Sequence, residues 1–403
     1  MPFNDFRLVI VCAALTAGCF AGCGDEAATP TTVTVEDLNA KSGVVKVSPD
    51  QAMELVGKVR NLIDANDANG LTALLDQEMF FERVFVGLGL GEQSKKGFRK
   101  GVDSSGGLRA LMNVIVQQTS QGGSYHFVRM VESKDGPQPL FRLSMPESGH
   151  NYHRLVLTST AAGVRIADLH VMLTGELMSG TLRRSAIHLA AYENRSIADR
   201  LTGSEADIIK HSDKLQEMSR LAKLGNYDGF MKEHNSLPDS LQKDKNVMLL
   251  RMMVSQQNEA EYEKALQALA EEFPNDPATD FREIDRFALK KDFEGVLKSV
   301  DRLIENTQDP FLHTLRLEAL IALDRHDEAM KACQIVLDAE PDNLMGYWAA
   351  IGTALEVKEF VRVGELLTAV ENKFDLAFGD LRTVPEYAEF VNSEAYGEWK
   401  KGR

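Results

Sequence analysis

Between residues 225 and 363 one short pattern returns five times, and its spacing limits the fold more than any other feature of the 403-residue chain. The copies are Gly225-Asn226-Tyr227-Asp228-Gly229-Phe230, Ala260-Glu261-Tyr262-Glu263-Lys264-Ala265, Lys291-Asp292-Phe293-Glu294-Gly295-Val296, Arg325-His326-Asp327-Glu328-Ala329 and Lys358-Glu359-Phe360-Val361-Arg362-Val363. Their ring residues Tyr227, Tyr262, Phe293, His326 and Phe360 stand 35, 31, 33 and 34 residues apart. Three residues beyond each ring comes a small residue (Ala265, Val296, Ala329, Val363), with Phe230 the exception. A period of this length marks stacked units, none of which can bury its apolar face alone. No strand alternation survives beyond about Ile197, so each unit is expected to be a helical hairpin.

A polar turn, a ring and a small residue three positions later, at a period near 34, resemble the tetratricopeptide repeat. The resemblance implies that the ring opens the second helix and that the small residue lets the two helices approach closely. It also assigns Pro277 and Pro341 to the place where that second helix ends, 12 residues after Ala265 and Ala329. Tyr347 takes the early aromatic position of the copy Leu344–Phe374. The pattern is degenerate: the turn glycine is kept only at Gly225, and Ala260, Lys291, Asp324 and Lys358 stand in its place elsewhere. Tyr227, Tyr262, Ala265, Phe293, Ala329, Tyr347 and Phe360 are therefore scaffold residues. The groove of such a stack commonly receives a peptide or partner protein. Residues 197–374 are assigned to the repeats, and 375–403, with Pro385, Tyr387, Phe390 and Trp399, to a helical cap on their open end.

The first half reads differently. Ser48-Pro49-Asp50 is a helix start, followed by Ala52, Leu55, Val56, Val59, Leu62 and Ile63 at helical spacing. A second amphipathic piece follows Asn69-Gly70, and a third helix is expected over Gly107–Gln118. After Gly122-Gly123 the period changes to two, and four strand runs follow, the last of them Val164–Thr174. Helices first and a meander afterwards predict an α+β domain over 49–190, with helices on one face of a curved antiparallel sheet. This order resembles the cystatin-like α+β roll of the nuclear-transport-factor superfamily, without a diagnostic motif. The resemblance implies a cone with a pocket, used by some members for chemistry and by many for protein contacts.

Chemistry in that pocket would fall to His126, His153, His170 and Asp168, which lie on the strand runs, with Asp168 two residues before His170 on one face. Brought into one cavity, Asp168 and His170 could form a general-base pair. The alternative is that all four are solvent-facing or hydrogen-bonded strand residues. His150-x-x-His153 has no third ligand nearby, and Gly87–Gly91 lacks the Lys-Ser/Thr of a phosphate loop. No hydrolase, zinc-protease or kinase motif occurs, so no catalytic residue, metal or cofactor is expected.

Cysteine placement and charge locate the chain. Cys12, Cys19 and Cys23 crowd the first 23 residues and leave Cys333 alone in the rest, which predicts no internal disulfide framework. Arg7 precedes a short uncharged run from Leu8 to Gly22, the layout of a secretory signal. It resembles a bacterial lipoprotein signal, with Cys19 after Leu15-Thr16-Ala17-Gly18 or Cys23 after Phe20-Ala21-Gly22 as the lipid attachment site. The resemblance implies anchoring in the cell envelope, on the extracytoplasmic face. Residues 24–48, small and polar, read as a tether. A net charge of −15 argues against nucleic acid as a partner. The expectation is thus a lipid-anchored envelope protein that binds another protein or peptide through its helical repeats. The rival is a small-ligand or enzymatic role for the N-terminal domain.

Overall fold

The computed structural model describes residues 43, 45–104, 106–145, 149–193, 204–274 and 276–402; the leader with Cys19 and Cys23 and most of the tether segment lie outside the described residues. The chain forms two compact units, one up to Thr279 and one from Asp280. The division falls inside the repeat region, so the first two hairpins belong to the same unit as the sheet.

In the first unit, Ser48 and Gln51 form a reciprocal capping box with Pro49 in the first turn, which starts α1 (Pro49–Asp64) where the sequence places it. Its buried stripe is Ala52, Leu55, Val56, Val59 and Ile63. Asp67 and Asp76 cap α2 (Ala68–Ala73) and α3 (Gln77–Phe85). Next come α4 (Glu92–Ser104) and α5 (Gly107–Ser120). Gly87 and Gly89 take left-handed φ angles of 74° and 59°, and the turn they make buries Leu88 and Leu90. The end of the tether segment is docked: the Val45 N–H donates to the Thr158 hydroxyl, the Val45 carbonyl accepts from the Ser159 N–H, and Val47 is buried.

The sheet is an antiparallel meander in chain order, β1 (Ser124–Val131), β2 (Gln138–Met145), β3 (Gly149–Thr160), β4 (Gly163–Val171) and the two-residue β5 (Glu176–Leu177). Register sets the two faces. Tyr125 pairs with Leu143, Phe141 with His153, and Leu155 with Leu169, and these side chains share the inner face with α1 and α5. The opposite face carries Arg142, Tyr152, Arg154, Val156, Asp168 and His170. Helix α3 and the helix after the sheet, α6 (Met178–Glu193), pack on each other and on β4. Met79 of α3 and Val86, just past its end, meet Val156, Ala167 and Leu177 on this second face, while Phe80, Phe81, Val84 and Phe85 enter the main core.

The remainder is helical. The first unit adds α7 (Ser204–Lys210), the hairpin α8 (Ser212–Lys223)/α9 (Tyr227–His234), the short α10 (Asp239–Gln242), and the hairpin α11 (Lys245–Ser255)/α12 (Glu259–Glu272). Helix α13 (Pro277–Leu289) crosses the division and pairs with α14 (Phe293–Thr307). The second unit continues with a 3-10 stretch, Pro310–Arg316, running into α15 (Leu317–Ala322), then α16 (His326–Ala339), α17 (Leu344–Glu356) and α18 (Phe360–Phe374).

In four of the five copies the ring residue is the first residue of its helix, as expected, and Ala265, Val296, Ala329 and Val363 are all buried. Three turn positions that lack glycine keep a glycine-like backbone: Lys291, Asp324 and Lys358 have φ angles of 55°, 55° and 61°. The copy at Ala260 differs. Asn258 caps its helix early, so α12 begins three residues before Tyr262 and Ala260 lies inside it. Pro341 falls in the turn after α16, whereas Pro277 opens α13 five residues beyond the end of α12. At Gly295 an added Cβ would stand 2.6 Å from the Phe287 ring, so glycine there permits the close approach of α13 and α14. Cys333 is buried in α16. Helices α19 (Ala388–Val391) and α20 (Glu394–Lys401) close the chain by burying Phe390 and Trp399, and Trp399 lies against Gly364 of α18.

Candidate functional site

The four sheet residues that could have formed a reactive pocket are dispersed. Asp168 is fully buried on the outer face of β4 and is already engaged. Arg83 Nε donates to its Oδ2 at 2.8 Å, the Ser179 hydroxyl donates to the same oxygen, and the backbone N–H groups of Leu169 and Ser179 donate to Oδ1. These bonds tie α3, β4 and α6 together and use both carboxylate oxygens, so Asp168 has no oxygen left to orient a histidine. His170 shares its face but pairs across the strands with Arg154 and Leu177. Burial, then the cation of Arg154, hold the His170 imidazole down to about 4, so it is neutral at pH 7.

His153 points to the inner face. Asn151 Nδ2 donates to its Nε2 at 3.2 Å, and its Nδ1 is 3.2 Å from the Tyr125 hydroxyl. With Nε2 accepting, the neutral ring carries its proton on Nδ1 and donates it to Tyr125. Burial holds His153 down to about 4 and pushes the Tyr125 phenol up, which keeps both neutral. His126 is exposed on β1. His150, three residues from His153, lies on the opposite face and contacts Ser144, so those two rings cannot share a metal ion. The Asp168–His170 base and the convergent pocket are therefore corrected to an ion-pair hub and separate, hydrogen-bonded strand histidines.

The inner cavity is equally closed. The space bounded by Val59, Leu71, Met112, Tyr125, Leu155 and Leu169 amounts to about 10 Å³, no more than one water molecule needs, with an apolar lining. A shallow groove of about 400 Å³ lies at the surface between Thr72, Gln77, Thr160 and Arg165. Its acids have partners: Asp76 caps α3, and Glu78 accepts from Arg99 at 2.6 Å. Among the described residues no group of three or more His, Cys, Asp or Glu side chains could hold a metal ion.

The repeat residues Tyr227, Tyr262, Phe293, Tyr347 and Phe360 serve the scaffold. Tyr227 Oη donates to Glu261 at 2.7 Å and joins two successive hairpins; Tyr347 packs edge-on against Phe374. In the second unit, Ile335, Trp348, Val361 and Leu376 are exposed among the described residues, and Trp348 is the largest of these side chains. Along α17, Gly346, Tyr347, Ala350, Ile351, Thr353 and Ala354 are buried, but Trp348, Gly352 and Glu356 are exposed at successive turns. Trp348 keeps 40% of its surface in solvent and packs edge-on against Phe378. A Cβ added at Gly352 would meet nothing within 4 Å.

Sequence periodicity did not single out this stripe. Trp348 sits beside the scaffold residue Tyr347, and only the burial of its neighbours distinguishes the two. Arg83 was missed for another reason: it lies 85 residues from Asp168, beyond the reach of any local pattern. No protein-family model matches the chain, and no curated protein is similar enough to align with it.

Proposed function

We propose that this chain is a protein-binding module whose tetratricopeptide-like hairpins receive a partner protein or peptide, and that a lipid on Cys19 or Cys23 anchors it to a bacterial envelope membrane. The observation that carries the binding reading is the stripe Trp348–Gly352–Glu356, a large ring and open space on a helix otherwise packed into the core. Exposed Trp beside unfilled space is the usual anchor of a protein interface. The repeat reading is supported by ring residues at helix starts and by left-handed turns recurring at Gly225, Lys291, Asp324 and Lys358. The α+β domain would serve as the base that links the tether to the hairpins, a reading supported by the small apolar space of about 10 Å³ enclosed between Val59, Met112, Tyr125 and Leu169.

The anchor reading rests on the leader sequence, and among the described residues no helix is long and apolar enough to cross a membrane. Two experiments address the two halves. Mass spectrometry of the mature N-terminus should find a diacylglyceryl-modified Cys19 or Cys23; an unmodified N-terminus removes the anchor. For the binding reading, replacing Trp348 with Ala in the full chain should abolish capture of a partner by the wild-type protein, with the melting temperature unchanged. A partner captured equally by both proteins places the interface elsewhere.

A further inference from the structure

Strand β1 has a neighbour on one side only. β2 pairs along that side, and among the described residues no strand lies on the other. In an antiparallel pair every second residue turns its N–H and C=O away from the neighbour, so the outer edge of β1 offers a row of backbone donors and acceptors. The opposite edge of the sheet is closed. Ile166 of β4 accepts from the Asp76 N–H and donates to the Leu74 carbonyl, and β5 pairs with His170 and Val171. Burial follows the same contrast: every residue of β2 is buried, whereas in β1 only Tyr125 is.

The two sides of this edge differ in chemistry. On the inner side, Phe127 and Met130 pack against the main core but keep part of their surface open. On the outer side, Val128 is bulged out of the register, so that Phe127 pairs with Phe141 and Arg129 with Leu140. Leu140 pairs in turn with Arg154, and Arg154 with His170. Arg129 and Arg154 thus stand in one row across the outer face with one strand between them, and His126 joins Arg129 on that side of β1. Arg154 is half-buried, and its Nε has no hydrogen-bond partner among the described residues. Burial, then the charge of Arg129, lower the Arg154 pKa; both act against the cation. β1 itself contains no acid.

We propose that the free edge of β1 receives an extended segment of a partner protein as an added strand, in which apolar residues that cover Phe127 and Met130 alternate with Asp or Glu residues set beside Arg129. This surface belongs to the α+β domain, so the inference goes beyond the reading of the helical hairpins. In strand addition the backbone bonds supply affinity and alternate side chains supply selectivity. A carboxylate beside Arg129 gains a charge-assisted bond and offsets the repulsion between the two guanidiniums. A second copy of β1 is disfavoured as the occupant, because an antiparallel pair of β1 strands gathers the His126 and Arg129 side chains of both copies on one face. A charged side chain and a bulge guard an edge against unselective pairing, and here the guanidinium turns that guard into a preference for acids.

The test uses the full chain and two displayed libraries of peptides the length of β1. Both carry apolar residues at alternate positions, with Asp and Glu between them in one library and Lys and Arg in the other. Wild-type protein should retain the acidic library and not the basic one, a preference opposite to the one its net charge of −15 would impose. The selected peptides should protect alternate amides of β1 from hydrogen exchange. N-methylation of a selected peptide at alternate residues should abolish binding in one frame and spare it in the other, because one set of its N–H groups faces β1. Arg129→Gln should weaken binding about tenfold, and Trp348→Ala should leave it unchanged. The same response to N-methylation in both frames, or peptides that bind Arg129→Gln as tightly as wild type, would overturn the inference. So would retention of the basic library, retention of neither, or selected peptides that depend on Trp348. The first four outcomes leave the hairpin reading standing, and the last supports it at the expense of the edge.

Discussion

Asp168 accepts hydrogen bonds from Arg83, Leu169 and Ser179 without any exposure to water, and so fixes how α3 and α6 meet β4. Asp168→Leu should destabilise the chain by about 3–5 kcal/mol in urea unfolding, because it leaves a buried guanidinium without its carboxylate. The double variant Asp168→Leu/Arg83→Met should recover most of that loss. A single variant within about 1 kcal/mol of wild type would show that the pair is not the hub. His153 supplies the pH dependence. Its folded value of about 4 lies below the ordinary 6.5, so the unfolded chain binds the proton more readily. The stabilisation is complete above pH 6.5 and is lost as pH falls toward 4. Stability should drop by about 2 kcal/mol between pH 7.5 and pH 5 from this residue, with His170 acting in the same direction. His153→Gln should flatten that limb, and an unchanged acid limb would show that the ring is not buried neutral. At this scale the sequence was only half legible. It placed Asp168 and His170 on one strand face correctly, but a carboxylate's partner is set by tertiary contact.

Among the elements, the hairpins show which local signals survive degeneracy. Lys291, Asp324 and Lys358 hold the turn that Gly225 makes with no side chain, and an L-residue in that backbone costs about 1 kcal/mol. Lys358→Gly should therefore raise stability by about 0.5–1 kcal/mol in equilibrium unfolding, less the extra entropy glycine brings to the unfolded chain. A loss of stability would mean that the Lys358–Glu389 ion pair at 2.7 Å outweighs the strain. The repeat period was readable because ring and small residue keep their spacing while the glycine changes. Strand limits were readable too, since alternation stops at turn residues: the last run, expected over Val164–Thr174, is Gly163–Val171. Helix α4 was not anticipated, because Glu92–Ser104 contains Gly97 and Gly101 and buries only Val102, leaving no apolar stripe to detect. The early start of α12 was hidden for a related reason: Asn258 caps it outside the repeating motif.

For the molecule as a whole, three of the four cysteines lie within the first 23 residues, and a charge of −15 makes the chain acidic, a balance that argues against broad phosphate binding. The α+β domain and the helical hairpins were both legible from the change of period after Gly122-Gly123 and its loss after Ile197. The groove was not, because open and core positions on a helix such as α17 carry similar apolar residues, Trp348 beside Tyr347. The central claim is that the stripe on α17 is where a partner binds. It is tested most directly by placing a photo-cross-linking amino acid at position 348 of the full chain in living cells, with position 361 as control. Val361 is 69% exposed on α18, so accessibility alone would favour it over Trp348. We predict a discrete protein adduct at 348 that is absent at 361. Equal adducts at both positions, or none at 348 while 361 reacts, would contradict the account.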